Sequence, residues 1–174
     1  SKNKSKITIN KKEKILCAKF RKGHFEGVLD VMDRLTALIK PNKIFMGNKD
    51  FQQLYLVKNF IEKKYETKVI GCKTIRDKNK LALSSRNYLL SKKYINIARS
   101  ITKTLFLIKR EIKNKKYINK FLTKKSKDLQ KKFKIKIDYL ENRNLKDLKL
   151  SNKTVNSKIF FSYYLNDIRL IDNI

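Results

Sequence analysis

One short turn carries the residue types that bind phosphate. It reads Gly47-Asn48-Lys49-Asp50 and follows an apolar segment, residues 43–46, that predicts a strand; a predicted helix comes next. Ligands of open α/β sheets bind at the carboxyl ends of strands, and a helix N-terminus favours an anion. A cation there opposes the helix dipole, so Lys49 is unfavourable unless an anion binds. The alternatives are one more lysine in a lysine-rich chain, and an Asp50 that only caps the helix.

Polar side chains follow at two further places. Gln52 and Gln53 lie in the first turn of the predicted helix, and one of them should face the strand ends. Farther along, after the apolar trio 81–83, the chain reads Ser84-Ser85-Arg86-Asn87. Two hydroxyls and a guanidinium suit oxyanion binding, because arginine offers a planar fork of donors. The alternative is a polar loop that caps the helix after it.

The remaining reactive residue types form no pattern. His24 is the only histidine, and its place beside a glycine favours a structural role. No carboxylate pair, nucleophile–base pair or metal-ligand cluster stands out, so we expect no metal site. Cys17 and Cys72 are far apart, which indicates reduced thiols in a cytoplasmic protein. No apolar run approaches the length that spans a membrane.

The segments that position these residues differ between the two halves. In the first half, Val28, Met32, Leu35 and Leu38 or Ile39 recur at helical spacing before Pro41. A strand at 43–46, a helix with Leu54, Val57 and Ile61 on one face, and a strand at 67–70 follow. The order helix–strand–helix–strand is typical of a parallel α/β sheet.

The second half predicts a small α+β unit. Helices are predicted over residues 91–113 and 117–131, and strands over 134–140, 157–165 and 168–172. A polar loop at 76–90 precedes them. We therefore place a domain boundary between residues 75 and 76, giving domains 1–75 and 76–174.

The charge is strongly positive, with 45 Lys+Arg against 15 Asp+Glu and a net charge of +30. Such a charge attracts polyanions whatever the fold, and a nucleic-acid-binding module would use the basic helix near residues 113–134. The alternative is compositional drift, since Lys, Asn and Ile dominate as they do in AT-rich genomes and the lysines are spread along the chain. We favour drift and expect no nucleic-acid partner.

Five segments together resemble the pantothenate synthetase family of Rossmann-like adenylating enzymes. They are Arg21-Lys-Gly-His-Phe-Glu-Gly-Val28, Phe45-Met-Gly-Asn-Lys-Asp-Phe-Gln-Gln-Leu54, Leu81-Ala-Leu-Ser-Ser-Arg-Asn87, Ile137-Asp-Tyr-Leu-Glu141 and Arg169-Leu-Ile-Asp-Asn173. They occur in the family's order across nearly the whole chain. The resemblance implies the second half of a Rossmann-like nucleotidyltransferase domain that binds ATP and pantoate, followed by a small α+β lid domain.

The resemblance also implies a reaction. In the family, pantoate attacks the α-phosphorus of ATP in the presence of Mg²⁺, and the amine of β-alanine then displaces AMP from pantoyl adenylate. Lys49 would be catalytic within an ATP-binding turn, and Gln53 would bind pantoate. Arg86 would also be catalytic, in a mobile loop that closes over the triphosphate. The ATP-binding residues would be Gly47, Asn48, Lys49, Asp50, Ile75 through its backbone, Leu83, Ser84, Ser85 and Arg86. The family also suggests a homodimer of the full-length enzyme.

The sequence departs from the family pattern in places. Asn48 stands where an acidic residue is usual, Lys22 replaces a proline, and Lys80 replaces a glycine and should stiffen the loop that follows. The family's two-histidine ATP motif and a further substrate-binding glutamine find no match. We therefore expect this polypeptide alone to show little or no formation of AMP that depends on both pantoate and β-alanine.

Two other functions are compatible with the sequence. One is the nucleic-acid-binding module, which a steep salt dependence of binding would identify. The other is an adenylating enzyme of the same superfamily that acts on a different small acid. The Phe-Gln-Gln-Leu and Arg-Leu-Ile-Asp-Asn segments argue against the latter.

Overall fold

The computed structural model describes residues 7–174. The chain divides into two compact units, Ser1–Lys73 and Thr74–Ile174, and each is described by itself.

The first unit is built on two parallel strands that one helix connects, and two further helices precede the first strand. Its helices are α1 (Leu16–Phe20), α2 (His24–Ile39) and α3 (Phe51–Lys64), and its strands are β1 (Lys43–Gly47) and β2 (Lys68–Cys72). The strands pair in parallel with Met46 opposite Gly71, as the order of predicted elements requires. The predicted inner face of α3 is buried, since Leu54, Val57 and Ile61 are at most 5% exposed.

The apolar face predicted for α2 is largely wrong. Leu35, Leu38 and Ile39 are 45%, 81% and 65% exposed, whereas the buried residues of the helix are Phe25, Leu29 and Thr36. Apolar side chains occur on more than one side of this helix, so spacing alone did not identify the side that packs. Contacts with α3 select the buried side, and the predicted stripe stays mostly in solvent.

A buried glutamine fastens the start of the described chain to α3. The side-chain amide of Gln52 donates to the carbonyl oxygens of Glu13 and Ile15 at 3.0 and 2.8 Å. Its oxygen accepts from the backbone N–H of Ala18 at 3.4 Å. The side chain therefore ties residues 13–18 to the first turn of α3 through three hydrogen bonds.

Replacing Gln52 by leucine is expected to lower the free energy of unfolding by about 2–4 kcal/mol, because the three hydrogen bonds of this buried side chain would be lost. Urea denaturation followed by circular dichroism measures this change. Gln53→Leu is the matched control on the same helical turn, and its partly exposed side chain predicts a change within about 0.5 kcal/mol. Equal effects of the two substitutions would contradict the structural role of Gln52.

Asp33 joins α2 to the end of α3. Its carboxylate accepts from the Lys64 ammonium at 2.8 Å through both oxygens and from the Tyr65 hydroxyl at 2.7 Å. Burial alone would raise the pKa of Asp33, but the hydrogen bonds from Lys64 and Tyr65 outweigh it and lower the pKa below its ordinary value of 3.8.

The depressed pKa of Asp33 predicts acid-sensitive stability. The stabilisation is complete above the unfolded-state pKa, near 4, and is lost as the pH falls through the lower folded-state pKa. Asp33→Asn should therefore melt below wild type at pH 6, and the difference should shrink towards pH 2. Thermal denaturation of both proteins across this range tests the prediction; a gap that widened on acidification would refute it.

The second unit packs two helices on an antiparallel sheet. Its elements are α4 (Lys92–Glu111), α5 (Ile118–Phe133), β3 (Lys136–Asn144), β4 (Ser157–Leu165) and β5 (Ile168–Asn173), with strand order β3-β4-β5. Ile101, Leu105 and Ile108 lie on one side of α4 and are at most 1% exposed. They pack with Phe161 and other inward-facing residues of the sheet in a single core.

Element boundaries in this unit shift by a few residues. Lys134 adopts a left-handed backbone with a φ of 52° and ends α5, so β3 begins at Lys136 rather than at residue 134. That strand continues to Asn144. Asn142 accounts for part of the extension, because its buried amide donates to the carbonyls of Ser151 and Lys153, both at 2.9 Å.

Candidate active site

The predicted phosphate-binding turn lies at the carboxyl edge of the parallel strands. Gly47 at the end of β1 pairs with Cys72 at the end of β2, and a 3-10 turn, Asn48–Asp50, leads directly into α3. This places Lys49 immediately before the positive end of a helix. Its side chain is only 16% exposed, and its ammonium lies 3.7 Å from the Asp50 carboxylate.

Asp50 does not act as the predicted helix cap. It occupies the N-cap position of α3, but its side chain accepts no capping hydrogen bond. Its φ and ψ of −94° and 53° differ from the extended backbone that aims a capping side chain at the helix N–H groups. The Asp50 side chain is half exposed, and its carboxylate lies beside the Lys49 ammonium.

The structure separates the two adjacent glutamines. Gln52 is buried and holds backbone groups of residues 13–18, so it has a structural role. Gln53 is partly exposed on the first turn of α3. Of the two amides it is the one accessible to a ligand.

Sequence reasoning missed the contribution of Gly71. A Cβ added to this residue would lie 2.5 Å from the side-chain oxygen of Asn48 and 2.8 Å from a methyl carbon of Leu54. A larger residue at position 71 would therefore force the Asn48 or Leu54 side chain to shift. The signal was a glycine at the end of an apolar strand, which often marks close packing.

In the second unit, a short hairpin brings together two of the predicted ATP-binding residues. The backbone N–H of Leu83 donates to the carbonyl of Ile75 at 3.0 Å, and Arg76 forms a bridge with Ala82. The side chains of Ile75 and Leu83 are 66% and 53% exposed. Two apolar side chains on a hairpin surface can contact the flat face of a base.

The hairpin turn is held by Asp77. Its carboxylate accepts from the backbone N–H groups of Asn79 and Leu81 and from Arg99 on α4. Burial opposes its ionisation, but these hydrogen bonds prevail and lower its pKa. Lys80 completes the turn with a φ of 71°, a left-handed conformation that costs a non-glycine residue about 1 kcal/mol. The turn thus keeps a backbone conformation that favours glycine although lysine replaces it.

The Ser84–Arg86 segment forms the start of a 3-10 helix, Ser85–Leu89. Ser84 accepts from the N–H of Arg86 at 3.3 Å, and the Arg86 guanidinium donates to the carbonyl of Arg169 on β5 at 3.2 Å. The predicted alternative, a polar loop that caps the helix after it, is confirmed for this 3-10 helix, whose N-cap is Ser84, whereas α4 is capped by Ser91. Ser85 is exposed and Arg86 half-buried.

The predicted site residues therefore fall into two sets. Gly47, Asn48, Lys49, Asp50 and Gln53 lie together in the first unit, on one turn and the helix that it starts. Ile75, Leu83, Ser84, Ser85 and Arg86 lie together in the second unit, on the hairpin and the 3-10 helix.

Comparisons with known proteins name the family. A model of the pantoate–β-alanine ligase family matches residues 3–174. The chain belongs to this family. It is 35% identical over 162 residues to the pantothenate synthetase of Flavobacterium psychrophilum, covering 90% of this chain and 56% of that protein. Identity with the pantothenate synthetase of Ruthia magnifica is 37% over 172 residues, or 97% of this chain and 60% of that protein.

Solved structures of pantoate–β-alanine ligases share the fold. The pantothenate synthetase of Thermus thermophilus aligns with a TM-score of 0.83 and 26% identity, covering 98% of this chain and 63% of that one. The Francisella tularensis ligase, complexed with β-γ ATP and β-alanine, aligns with a TM-score of 0.75 and 32% identity over 97% of this chain and 56% of that one. The mixed α/β architecture is therefore that of the ligase family, and the chain spans between 56% and 63% of the length of these relatives.

Three further features of the described residues bear on the site: the surroundings of His24, possible metal ligands and possible membrane spans. The only histidine, His24, has its Nε2 2.7 Å from the guanidinium of Arg21 and its ring against Phe25. Among residues 7–174, no three His, Cys, Asp or Glu side chains are grouped so that they could hold a metal ion. No helix in that range is long and apolar enough to cross a membrane.

Proposed function

We propose that this chain binds ATP and pantoate and takes part in the condensation of pantoate with β-alanine to pantothenate. The observation that carries the proposal is the position of Lys49. A largely buried lysine side chain lies at the start of α3, at the carboxyl edge of parallel strands, in a chain of the pantoate–β-alanine ligase family. A bound phosphate would relieve the opposition between this cation and the helix dipole.

The proposed reaction has two steps. A carboxylate oxygen of pantoate attacks the α-phosphorus of ATP, forming pantoyl adenylate as pyrophosphate leaves. The β-alanine amine then attacks the acyl carbon, forming the amide bond as AMP leaves and the amine loses a proton. Lys49 stabilises negative charge on the phosphates, a preorganised electrostatic role, and Gln53 holds pantoate through its amide.

The second unit is proposed to bind the nucleotide as well. The backbone of Ile75 and the side chain of Leu83 would contact adenine, and Ser84, Ser85 and Arg86 would donate to triphosphate oxygens. The guanidinium of Arg86 would then exchange its contact with the Arg169 carbonyl for a charge-assisted bond to phosphate. In this proposal, the first unit is part of a Rossmann-like nucleotidyltransferase domain and the second is its lid.

Mg²⁺ is proposed to arrive with ATP. The described residues offer no cluster of acidic or histidine ligands, and Mg²⁺ bound with nucleotides takes much of its coordination from phosphate oxygens and water. The ion would neutralise phosphate charge during transfer. We further propose a homodimeric full-length enzyme in the cytoplasm, with no role for nucleic acid in the reaction.

Ligand-dependent thermal stabilisation tests the proposal. A ligand that binds only the folded state at a hundred times its Kd stabilises by about 2.7 kcal/mol. Mg-ATP with pantoate should therefore raise the melting temperature, and pantoate without ATP should raise it less. The sodium salt of an unrelated hydroxy acid is the control. No shift at millimolar Mg-ATP and pantoate would refute the proposal.

A gel shift separates this function from general polyanion binding. Attraction between nucleic acid and the +30 charge weakens steeply as salt rises. Stabilisation by ATP with pantoate should persist at about 200 mM salt, where non-specific retention of a DNA fragment should be lost. DNA binding that survives this salt while the substrates leave the melting temperature unchanged would favour the nucleic-acid module.

A further inference from the structure

The hairpin of the second unit, residues 75–83, is fastened to β5 by an arginine that the proposed reaction does not use. The Arg76 guanidinium donates to both carboxylate oxygens of Asp172 at 2.8 Å and to the backbone carbonyl of Asn173 at 3.1 Å. It also donates to the carbonyl of Lys80, in the hairpin turn, at 2.9 Å. One side chain therefore joins the start and the turn of the hairpin to the last strand of the sheet.

Further contacts fix the orientation of this guanidinium. The ring of Phe106 on α4 lies against it, with 5.4 Å between the guanidinium carbon and the ring centre. Asp172 is held in turn, because its carboxylate also accepts from the backbone N–H of Asn173 at 2.8 Å. The side chains of Arg76 and Asp172 are 19% and 6% exposed. A bidentate pair of this kind depends on the planar fork of arginine, which the ammonium of a lysine does not reproduce.

The hairpin carries the two residues proposed to contact adenine. Ile75 immediately precedes Arg76, and its carbonyl accepts from the backbone N–H of Leu83 at 3.0 Å. The contacts of Arg76 therefore determine where the exposed pair Ile75 and Leu83 lies relative to β5.

The segment proposed to bind phosphate has an attachment of its own. The Arg86 guanidinium donates to the carbonyl of Arg169 on β5 at 3.2 Å. One hydrogen bond, from the side-chain amide of Asn87 to the carbonyl of Ala82 at 3.1 Å, joins this segment to the hairpin. Loss of the Arg76 contacts should therefore affect the adenine-facing residues more than the phosphate-facing ones.

We propose that Arg76 is a positioning residue for ATP, which holds the hairpin so that Ile75 and Leu83 meet the adenine base. The inference rests on the proposed function and adds to it a residue that touches no substrate. Arg76 acts through its ion pair with Asp172, which fixes the hairpin on β5 before the nucleotide binds. Without that pair the hairpin occupies other positions, and ATP affinity falls in proportion to the fraction of molecules that keep the binding geometry.

Arg76→Lys tests the proposal, because it keeps the positive charge and removes the planar fork. If the hairpin then keeps its binding position in about one-fifth of the molecules, ATP affinity should fall about fivefold. The affinity for tripolyphosphate, which lacks adenine, should change less than about twofold, since the phosphate-binding segment keeps its attachment to Arg169. Isothermal titration calorimetry with Mg²⁺ at about 200 mM salt, where non-specific attraction of polyanions is weak, measures both affinities.

Hydrogen exchange measured by two-dimensional NMR gives a second result without any ligand. The Leu83 amide, which donates to the carbonyl of Ile75, should exchange faster in Arg76→Lys than in wild type, because the hairpin opens more often. Asp172→Asn should act in the same direction. The two substitutions together should reduce ATP affinity no more than the stronger one alone, since both disrupt one contact. Arg110→Lys, at an exposed position on α4, is the matched control and should behave as wild type.

Two results would overturn the positioning role of Arg76. One is an Arg76→Lys protein that binds ATP as tightly as Arg110→Lys does. The other is a loss of tripolyphosphate affinity as large as the loss of ATP affinity, which would mean that Arg76 only stabilises the second unit. Wild-type protein that failed to bind ATP would instead contradict the proposed function, and exchange at Leu83 would still show whether Arg76 holds the hairpin.

Discussion

Replacing Lys49 by glutamine is expected to weaken binding of ATP by this chain about 10- to 100-fold. The Lys49 side chain is 16% exposed at the start of α3, so a phosphate there meets little competing water. A hydrogen bond to a charged group contributes about 1.5–3 kcal/mol, and about 1.4 kcal/mol corresponds to a tenfold change in affinity. Isothermal titration calorimetry with Mg-ATP, in the presence of pantoate, measures the loss.

The unliganded protein should respond differently to the same substitution. A lysine at a helix start opposes the dipole, so Lys49→Gln should not lower stability in the absence of ATP. Lys58→Gln is the matched control: Lys58 lies on α3, its side chain is 53% exposed, and its ammonium is 3.8 Å from Glu62. If Lys49→Gln bound ATP as tightly as Lys58→Gln, the proposed role of the turn would be wrong.

Replacing Asp172 by alanine is expected to lower the free energy of unfolding by about 3–5 kcal/mol, the range for breaking a buried ion pair by removing one partner. The Asp172 side chain is 6% exposed and that of Arg76 is 19% exposed. The substitution leaves the Arg76 guanidinium without its carboxylate and removes the negative charge that acts on Lys158. Chemical denaturation followed by far-UV circular dichroism measures the cost.

An exposed ion pair supplies the control for this substitution. Asp147 and Lys149 lie 3.5 Å apart with side chains 44% and 80% exposed, so Asp147→Ala should change stability by less than about 1 kcal/mol. Raising the salt concentration should reduce the loss of unfolding free energy caused by Asp172→Ala, because salt screens the repulsion between Arg76 and the nearby lysines. If Asp172→Ala lowered the free energy of unfolding no more than Asp147→Ala does, the Arg76–Asp172 pair would not stabilise the second unit.

Local patterns in the sequence predicted much of the fold. A run rich in aromatic and branched residues predicted β4 with its observed bounds, Ser157–Leu165, because such side chains pack well on a pleated sheet. The spacing of Leu54, Val57 and Ile61 predicted the inner face of α3, since residues three and four apart share one side of a helix. The same reasoning failed for α2, where Leu38 is 81% exposed, because apolar residues on several sides give no single direction.

The roles of the candidate site residues stay a prediction, although the sequence indicated the two loops that carry them. Glycine, lysine and a serine–arginine segment marked the two loops because turns and anion binding demand those residue types locally. Sequence alone did not distinguish Gln52 from Gln53, since both occupy the first turn of one helix. It also missed Gly71, whose importance lies in a contact with Asn48, 23 positions earlier in the chain.

The sequence by itself determined the order of helices and strands, the family, and the two loops whose residue types suit phosphate. These properties depend on neighbours within a few positions or on the order of short motifs. Only the tertiary structure decided which glutamine is buried, which side of α2 packs, and how Arg76 meets Asp172 across 96 positions of the chain. Burial depends on which surfaces pack together and exclude water. Residues far apart in sequence form those surfaces, so local patterns do not reveal which side chains become buried.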